Sequence, residues 1–314
     1  MPPVDRKNPK RAASSESQYS LMEFMREFKD DDACLEWLWR SKYSPDGEHA
    51  LCPSCEKVRT FKQYATKQQR QSWTCTGCGH HLHPTAGTIF HKSSTSLHLW
   101  FYAMYLMAST RCGLSAKQLE REIGVTYKTA WRMLNLIRNQ LMEQDDDPLS
   151  GDVEVDETAG GGRLRAGDAR RGKRAVHASN RPTIWAAVER GGKVKAQVVK
   201  SRSTTDIETP IYQHVLPESM IFTDEFKGYN HDRLSSRFIS HRRIRHEDRI
   251  YVSGEVHTQT VEGFFGLLKN GIRGTYHSVS SKWLPSYLNE YVWRYNRRGD
   301  EQSMFEQLLL RAAA

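Results

Sequence analysis

Two cysteine pairs constrain the fold of this chain more than any other feature of its sequence. Cys52 and Cys55 form one C-x2-C pair, and nineteen residues further on Cys75 and Cys78 form another. Four thiolates suit tetrahedral Zn²⁺, and two intervening residues let each pair form a tight knuckle with both sulfurs aimed inward. The spacer falls in the range expected for such sites. We therefore predict a zinc ribbon with one structural ion, because four protein ligands leave no position for a catalytic water.

The alternative for these cysteines is a redox pair or a set of buried free thiols. A disulfide framework is not expected, because the polar N-terminus has no apolar core of a secretory signal. The spacer alternates like a small hairpin and is basic, and its surface is a candidate contact for DNA or another protein. Its cations are Lys57, Arg59, Lys62, Lys67 and Arg70.

The charge balance indicates a polyanionic partner. The chain has 314 residues and a net charge of +9, with a pI of about 9.2. Double-stranded DNA is the first candidate for such a partner, although a merely soluble basic protein would have the same balance. No apolar run reaches the roughly 18 residues of a membrane span. We expect a cytoplasmic protein, associated with the bacterial nucleoid, that makes no contact with a membrane.

Shifts in composition and periodicity divide the chain into six segments. Strand-like alternation followed by helical spacing makes the largest of them a mixed α/β domain. The predicted segments are a disordered basic tail (1–20), a helical lead-in (21–50), the zinc ribbon (51–92), a helical region (93–145), the α/β domain (150–300) and a C-terminal tail (301–314).

The helical region contains a candidate helix-turn-helix. Ser115 can cap one short helix and Thr126 the next, with Gly124 at the break. The first residues of the second helix of such a pair read base edges in the major groove. A plain helical hairpin would have the same pattern. The residues predicted to face DNA are Tyr127, Lys128, Thr129 and Arg132.

The stretch "GDVEVDET" alternates acids with valines at the period of a strand. Glu154 and Asp156 should therefore share a face, and Glu157 should point to the opposite one. Asp224 follows an apolar run, and Glu262 lies near the start of a helix. Two acids at strand ends and one on a following helix can converge on hard cations. Each acid alone is more simply a solvated surface group.

The metal expected on Asp156, Asp224 and Glu262 is Mg²⁺ or Mn²⁺, as two ions. Such a pair activates the attacking oxygen and stabilises the leaving oxygen in phosphodiester chemistry. Lys269 lies two helical turns beyond Glu262, on the same side, where it can hold a phosphate. We expect Phe264, Leu267 and Leu268 to face the core. The basic runs at 162–181 and 241–249 would bind phosphate backbone, or form solvated faces.

Seven motifs follow one another along the chain: "CPSC…CTGCGH", "GTIF", "LSAKQLEREIGVTYKTAWRML", "VEVDET", "IFTDEFKGY", "HTQTVEGFFGLLKNGIRGTYH" and "LNEYVWRYNRR". In this order they resemble the bacterial insertion-sequence transposases with an ISXO-like DDE domain, and the resemblance covers about residues 22–300. One departure is Phe265, where the family often has Trp.

The resemblance implies a ribonuclease-H-like mixed sheet with flanking helices over residues 150–300 and cut-and-join chemistry on DNA ends. It maps the three family acids onto Asp156, Asp224 and Glu262, and the downstream basic residue onto Lys269. The family has Glu or Asn at the third position, so Glu262 implies an active triad. A homo-oligomer is expected, because two DNA ends must be joined. The rivals are a metal-dependent nuclease that cuts without joining, and a DNA-binding regulator whose acids are relics.

Overall fold

The computed structural model describes residues 19–64, 72–160, 182–244 and 258–314. These residues divide into two compact units, one formed by residues up to 141 together with 299–314, and the other by 142–298. Several predictions lie outside the described residues: the disordered tail up to residue 18, the spacer cations Lys67 and Arg70, the basic run 162–181, and most of the run 241–249.

The first unit begins with two helices, α1 (Leu21–Glu27) and α2 (Asp31–Lys42). Ser20 and Glu23 form a reciprocal capping box at the start of α1, and the Asp30 side chain caps α2. Capping satisfies backbone N–H groups that the first helical turn leaves without partners. Leu35, Leu38 and Trp39 form the buried face of α2, at the spacing of one side of a helix.

A four-stranded antiparallel sheet follows, in the order β1-β2-β3-β4. Its strands are β1 (His49–Cys52), β2 (Lys57–Tyr64), β3 (Ser72–Cys75) and β4 (His81–Leu82). The predicted hairpin is confirmed, because β2 pairs with β3 in a register that sets Phe61 opposite Cys75. Trp73 of β3 stacks on Trp39 of α2 with 4.8 Å between ring centroids, so this small sheet packs on the preceding helix.

Three helices and a π-helical turn come next: α3 (Leu97–Ser109), α4 (Ala116–Ile123), α5 (Tyr127–Leu136) and the turn Ile137–Leu141. The predicted caps are confirmed. Ser115 accepts a hydrogen bond from the backbone of Gln118, and Thr126 accepts one from that of Thr129. Gly124 adopts a left-handed conformation at the break, with φ of 68°, which glycine tolerates without steric cost.

The segment predicted as a C-terminal tail is instead a helix, α10 (Met304–Ala313), with a capping box at Ser303. Its buried face includes Phe305 and Leu308. The Phe305 ring contacts those of Phe24 and Tyr105 in the same unit. The prediction was wrong because residues 301–314 have no apolar partner nearby in sequence. Their partners come from α1 and α3.

The second unit is built on a mixed sheet in the order β7-β6-β5-β8-β9. Strands β5, β6 and β7 are antiparallel neighbours, whereas β8 and β9 run parallel to β5. The strands are β5 (Asp152–Ala159), β6 (Thr183–Glu189), β7 (Val194–Val199), β8 (Met220–Thr223) and β9 (Ser240–Arg243).

Helices cover both faces of this sheet, and a hydrophobic core lies on each face. One core joins the sheet to α6 (Thr204–His214) and α7 (His231–Arg237). The other joins it to α8 (Gln259–Gly271), the π-helical turn Ile272–Tyr276 and α9 (Leu284–Asn296). The valines of β5 belong to the first core, which leaves the acidic side of β5 facing α8. None of the helices in the described residues has the length and apolarity needed to span a membrane.

Candidate active site and cysteine cluster

Asp156 and Asp224 are brought together by the parallel pairing of β5 with β8. Glu154 pairs with Phe222 in this register. Two residues further along each chain, Asp156 and Asp224 are therefore level with each other. Asp224 follows the last residue of β8, where the backbone N–H of Phe226 donates to its Oδ1 over 2.9 Å. Both carboxylates thus lie at the same edge of the sheet.

Glu262 is presented to this edge by the first turn of α8. Its side chain is exposed, and the Thr258 hydroxyl donates to its Oε1 over 3.4 Å. The neighbouring residues Val261, Phe264 and Phe265 are buried in the core against β6 and α9. This packing sets the side of α8 that carries Glu262 towards open solvent beside the strand ends.

The electrostatics of Asp156 reveal the proximity of the other acids. Burial is the main cause that raises the pKa of the Asp156 carboxyl to about 7, and the negative charges of Glu157, Asp224 and Glu262 add to it. A hydrogen bond from the Glu157 backbone N–H to Asp156 Oδ1, 2.7 Å long, acts in the opposite direction. A carboxyl group whose pKa is raised by burial and by neighbouring negative charges is typical of sites that bind cations or transfer protons.

The three carboxylates are neighbours without being gathered as tightly as metal ligands around one ion. Among the described residues, the four cysteines are the one group of three or more potential ligands whose donor atoms all lie within 4.8 Å of one another. Carboxylates repel when no cation separates them, and two ions about 4 Å apart need a wider cage than one. The three acids therefore lie near one another but are not gathered as closely as the four cysteines.

Glu154 lies on the same face as Asp156 but is fully buried. Its Oε2 accepts hydrogen bonds from the backbone N–H groups of Thr260 (2.7 Å) and Val261 (3.1 Å). Its Oε1 accepts from the Thr260 hydroxyl (3.0 Å) and from Arg190 Nε (2.8 Å). Glu154 also caps the N-terminus of α8, since the Thr258 side chain at the cap position accepts no hydrogen bond from the backbone of the first turn.

The capping role of Glu154 is the feature that sequence reasoning missed. Its partners on α8 are more than a hundred residues away in the chain. A signal was available, because an acid between two buried valines in a central strand needs compensating donors. The sequence does not say which donors those are.

Glu157 points to the opposite face of β5, as predicted, and it is buried rather than solvated. The Tyr229 hydroxyl donates to its Oε2 over 2.6 Å, and Arg202 donates to its Oε1. Burial and the charge of Glu157 raise the pKa of Tyr229 well above its ordinary value. Glu157 therefore anchors the other side of β5 to the loops that flank α6 and α7.

Lys269 lies on α8 with its Nζ 5.6 Å from the centroid of the Phe265 ring. Phe265, the position where a Trp was expected from the resemblance, is buried in the core of this face. The prediction that Leu267 faces the core was wrong, because 57% of its surface is exposed. The apolar stripe of α8 follows Val261, Phe264, Phe265 and Leu268 instead.

The four cysteines meet in the first unit, as their spacing predicted. Cys52 Sγ lies 3.6 Å from Cys78 Sγ, and Cys55 Sγ lies 4.0 Å from Cys75 Sγ. Four sulfurs at the Zn–S bond length of about 2.3 Å in a tetrahedron are about 3.8 Å apart. The donor set and its spacing therefore fit a structural zinc ion.

The predicted DNA-facing residues lie at the start of α5. Tyr127, Lys128 and Arg132 are exposed and Thr129 is half-buried. Lys117 of α4 lies 5.5 Å from the centroid of the Tyr127 ring, so α4 supports this surface. Leu119 of α4 and Ala130 of α5 are buried, while Ile123 and Val125 near the break between the helices are only half-buried.

Comparison with known proteins adds family information to this geometry. Residues 148–296 match the model of a family described as the ISXO2-like transposase domain. The chain is 28% identical over 254 residues to the "Uncharacterized protein in transposable element ISH50" of Halobacterium salinarum, which covers 77% of this chain and 84% of that protein. Together these similarities support an insertion-sequence transposase. Because that relative is archaeal, they do not support restricting the family to bacteria.

A solved structure also aligns with the chain. It is a chain of the simian T-cell lymphotropic virus intasome in complex with PP2A regulatory subunit B56 gamma, with 15% identity and a TM-score of 0.28. The alignment covers 60% of this chain and 66% of that chain, just under two thirds of its length. At this TM-score the similarity does not establish a shared fold.

Proposed function

We propose that this protein is the DNA transposase of an insertion sequence, which cleaves the ends of its element and joins them to target DNA. The observation that carries the proposal is the meeting of Asp156, Asp224 and Glu262 at one sheet edge. That edge lies within residues 148–296, which match the transposase domain. A domain match and a carboxylate site at the same place support the same chemistry.

The order and directions of the five strands support a ribonuclease-H-like fold for this domain. A mixed sheet with helices on both faces is the architecture that the resemblance implies. In open α/β sheets, ligands bind outside the carboxyl ends of the strands, at the point where strand order reverses. Strands β5 and β8 are the neighbours on either side of that reversal, and they carry Asp156 and Asp224.

The residues that would hold two Mg²⁺ or Mn²⁺ ions are Asp156, Asp224 and Glu262. When bound, such ions supply activation of the attacking oxygen and charge stabilisation of the leaving oxygen. The rest of the chemistry is positioning by this chain, as in other phosphoryl transfers. Glu154 sets the place of α8, and Lys269 neutralises charge on the phosphate. Water attacks first and frees a 3′-OH, which then attacks the target strand.

The first unit would recognise DNA. The helices α4 and α5 have the size and the cap geometry of a helix-turn-helix, with Tyr127, Lys128, Thr129 and Arg132 facing the terminal inverted repeats. The zinc ion would stabilise the ribbon and take no part in catalysis. Joining two ends requires at least two copies of the chain, so we propose a homo-oligomer. The protein would act on double-stranded DNA in the cytoplasm, at the nucleoid.

A strand-transfer assay on short duplexes that carry the element's ends tests this function. With Mg²⁺, the parent protein should release 3′-OH ends and join them to a target duplex. Asp156→Asn, Asp224→Asn and Glu262→Gln should each abolish both products while leaving DNA binding intact. Glu225→Gln, next to Asp224, is the matched control and should keep activity.

Two outcomes would replace the proposal. Hydrolysis of the end duplexes with no joined product would indicate a nuclease that cuts without joining. Full biological effect from Asp156→Asn would indicate a DNA-binding regulator. Mapping short inverted repeats in the DNA that flanks the gene supplies the substrates and separates an intact element from a remnant.

A further inference from the structure

A cavity of about 130 Å³ opens at the C-terminal end of β5, and we call it the β5-end cavity. Three basic side chains line it: Lys269 from α8, Arg273 from the π-helical turn, and His277 just after that turn. Thr158 and Ser278 add hydroxyl groups. No acidic residue lines the cavity among the residues that the structure describes. Its chemistry is therefore that of an anion site.

The basic residues owe their alignment to the π-helical turn. Lys269, Arg273 and His277 are spaced four apart, close to the wider repeat of a π-helix, and so they line one side of the cavity. Short π-helical segments occur frequently at functional sites. Here the segment begins just after Gly271, where a Cβ would lie 1.6 Å from the hydroxyl of Tyr291 on α9. The close approach of α9 therefore holds the turn in place.

His277 is held in a strained backbone conformation, with φ of 59° and ψ of −44°. This combination lies outside the left-handed region that non-glycine residues sometimes adopt. Strained residues cluster at active sites and ligand clamps, where the surrounding fold pays for them. The surrounding fold therefore holds the His277 backbone in an unfavourable conformation, and the imidazole ring is exposed to solvent.

Neither Arg273 nor His277 has a hydrogen-bond or ion-pair partner among the described residues. This differs from other arginines of the same unit: Arg190 pairs with Glu154, Arg294 with Glu290, and Arg297 with Asp145. The exposed guanidinium of Arg273 and the imidazole of His277 lie at the rim of the cavity. Because the described structure gives them no protein acceptor, both groups can donate hydrogen bonds to a bound anion.

The position of the cavity indicates which anion it takes. Thr158 lies two residues beyond Asp156 on the same face of β5, about 6.6 Å along the strand at 3.3 Å per residue. Nucleotides in one strand of DNA are spaced about 3.4 Å along the helix axis. The cavity thus lies within one or two nucleotides of a phosphodiester placed on the carboxylates.

We propose that the β5-end cavity binds a backbone phosphate of the DNA strand next to the scissile phosphodiester, with Arg273 and His277 as its ligands. The inference rests on the proposed function for its substrate class. It adds a second phosphate contact to the one expected of Lys269. Holding the strand at a second phosphate beside the carboxylates would fix the scissile bond in register, because catalysis of phosphoryl transfer depends largely on positioning.

Salt dependence of DNA binding tests the cavity without requiring catalysis. The full chain is titrated with fluorescein-labelled duplex and single-stranded DNA of fixed sequence, without Mg²⁺, between about 50 and 200 mM salt. Arg273→Ala should reduce the slope of log K against log salt by about 0.9 on duplex or about 0.7 on single strand. The matched control is Arg237→Ala, an exposed arginine of α7 on the opposite face of the sheet, which should keep the parent's slope.

His277→Gly separates a binding role from a structural one. Glycine accepts a positive φ without strain, so this variant should be at least as stable as the parent to heat and yet bind DNA more weakly. A variant that loses stability and keeps the parent's DNA affinity would show that His277 serves the fold alone, and the proposal would be overturned.

The outcomes distinguish this proposal from the proposed function. A parent that binds DNA through Arg273 but neither cuts nor joins it would overturn the transposase and keep the cavity. A parent that transposes while Arg273→Ala keeps the full salt slope would overturn the cavity alone. If inorganic phosphate protects only the parent against heat and the salt slopes are equal, the cavity takes a free anion, and the DNA proposal is wrong.

Discussion

Two carboxylates on one face of β5, two residues apart, have different surroundings. Glu154 is satisfied on both oxygens by four donors. Within the part of the chain that the structure describes, Asp156 accepts one backbone hydrogen bond and lies near the charges of Glu157, Asp224 and Glu262. A buried carboxylate with a full set of donors links the elements that supply those donors, whereas one with few donors remains available to a cation or a proton. The difference separates an anchoring residue from a candidate metal ligand.

Replacing Asp156 should make the protein more stable in the absence of Mg²⁺ at high pH. The pKa of Asp156 is raised to about 7 in the folded state, against about 3.9 in an unfolded chain. The folded protein therefore binds the extra proton between these values, and stability falls as pH rises through about 7. Asp156→Asn removes this loss. In magnesium-free buffer, the melting temperature of the variant should be higher than that of the parent at pH 8, and the difference should disappear towards pH 4.

The control for this pH experiment is Asp152→Asn, which removes a carboxylate from the start of the same strand, beside Arg190. It should not gain stability at pH 8. Equal melting of parent and Asp156→Asn at pH 8 would contradict the raised pKa.

Replacing Glu154 should weaken catalysis through metal binding, although Glu154 contacts no substrate. Glu154→Gln removes the negative charge beside Arg190 and replaces one of the two acceptor oxygens with an NH₂ donor that faces the first N–H groups of α8, at a cost of about 3–5 kcal/mol. Glu262 is two residues beyond Thr260, so the loss should raise the Mg²⁺ concentration needed for half-maximal cleavage. Cleavage is measured at a temperature where the variant remains folded by circular dichroism.

Glu189→Gln on β6 is the matched control for that experiment, because the Glu189 carboxylate accepts hydrogen bonds from Ser150 and Lys193, which both lie outside α8. It should keep the Mg²⁺ dependence of the parent. A folded Glu154→Gln variant with unchanged Mg²⁺ dependence would show that α8 is placed without Glu154.

At the scale of elements, α8 is the component on which the site depends. Its apolar stripe is buried against β6 and α9, its N-terminus is capped by a strand residue, and its C-terminal end passes into a π-helical turn. One helix therefore positions Glu262, Lys269 and the β5-end cavity together. Errors in its placement would affect all three.

Gly271→Ala should destabilise the second unit, because the added Cβ would lie 1.6 Å from the Tyr291 hydroxyl. Overpacking of this kind typically costs about 1–3 kcal/mol. Gly266→Ala on the same helix is the matched control, since its Cβ would meet nothing within 4 Å. In a helix that change should stabilise by about 0.5–1 kcal/mol. Urea unfolding measures the change in stability of each variant relative to the parent. Changes of the same sign in both variants would contradict the prediction.

Removal of zinc should unfold the ribbon, because β1–β4 form too small a sheet to bury a core without the ion. We expect one zinc per chain by elemental analysis, and a lower melting temperature after chelation. Cys75→Ser, at a buried ligand position, should lose the metal. Cys112→Ser removes an exposed cysteine outside the set and should keep it; zinc content that is equal in both variants would refute the assignment.

At the scale of the whole molecule, the first unit is closed by both ends of the described chain. The rings of Tyr19, Phe24 and Phe28 near the start contact Phe305 near the end. Residues 299–314 accordingly belong with the first unit, although they follow the second in sequence. The second unit is therefore an insertion in the chain of the first.

Phe305→Ala should destabilise the first unit by about 3–5 kcal/mol, the usual cost of emptying a buried aromatic site. Leu310→Ala on the same helix removes a side chain that is 49% exposed and should change stability by no more than about 0.5 kcal/mol. Differential scanning calorimetry measures both. Equal shifts would mean that α10 does not close this core.

Local sequence patterns determined the parts of this protein whose interactions are short in range. The caps at Ser115 and Thr126, the hairpin between the cysteine pairs and the alternation along β5 all follow from residues a few positions apart, and each is present in the structure. The meeting of the four cysteines follows from spacing alone. The same patterns, with the resemblance that they carry, pointed to Asp156, Asp224 and Glu262, whose catalytic role stays a prediction.

Tertiary structure decided the features that depend on partners far away in the chain. The partners of Glu154 on α8, the partners of Glu157 near α6 and α7, and the burial of α10 are invisible to periodicity, because a pattern records which side is apolar and not what covers it. The cavity beside Asp156 arises only when the π-helical turn after α8 is held against α9. The sequence identified the acidic residues of the site. Long-range packing decided that Glu154 and Glu157 are anchored by donors, while Asp156 remains available to a ligand.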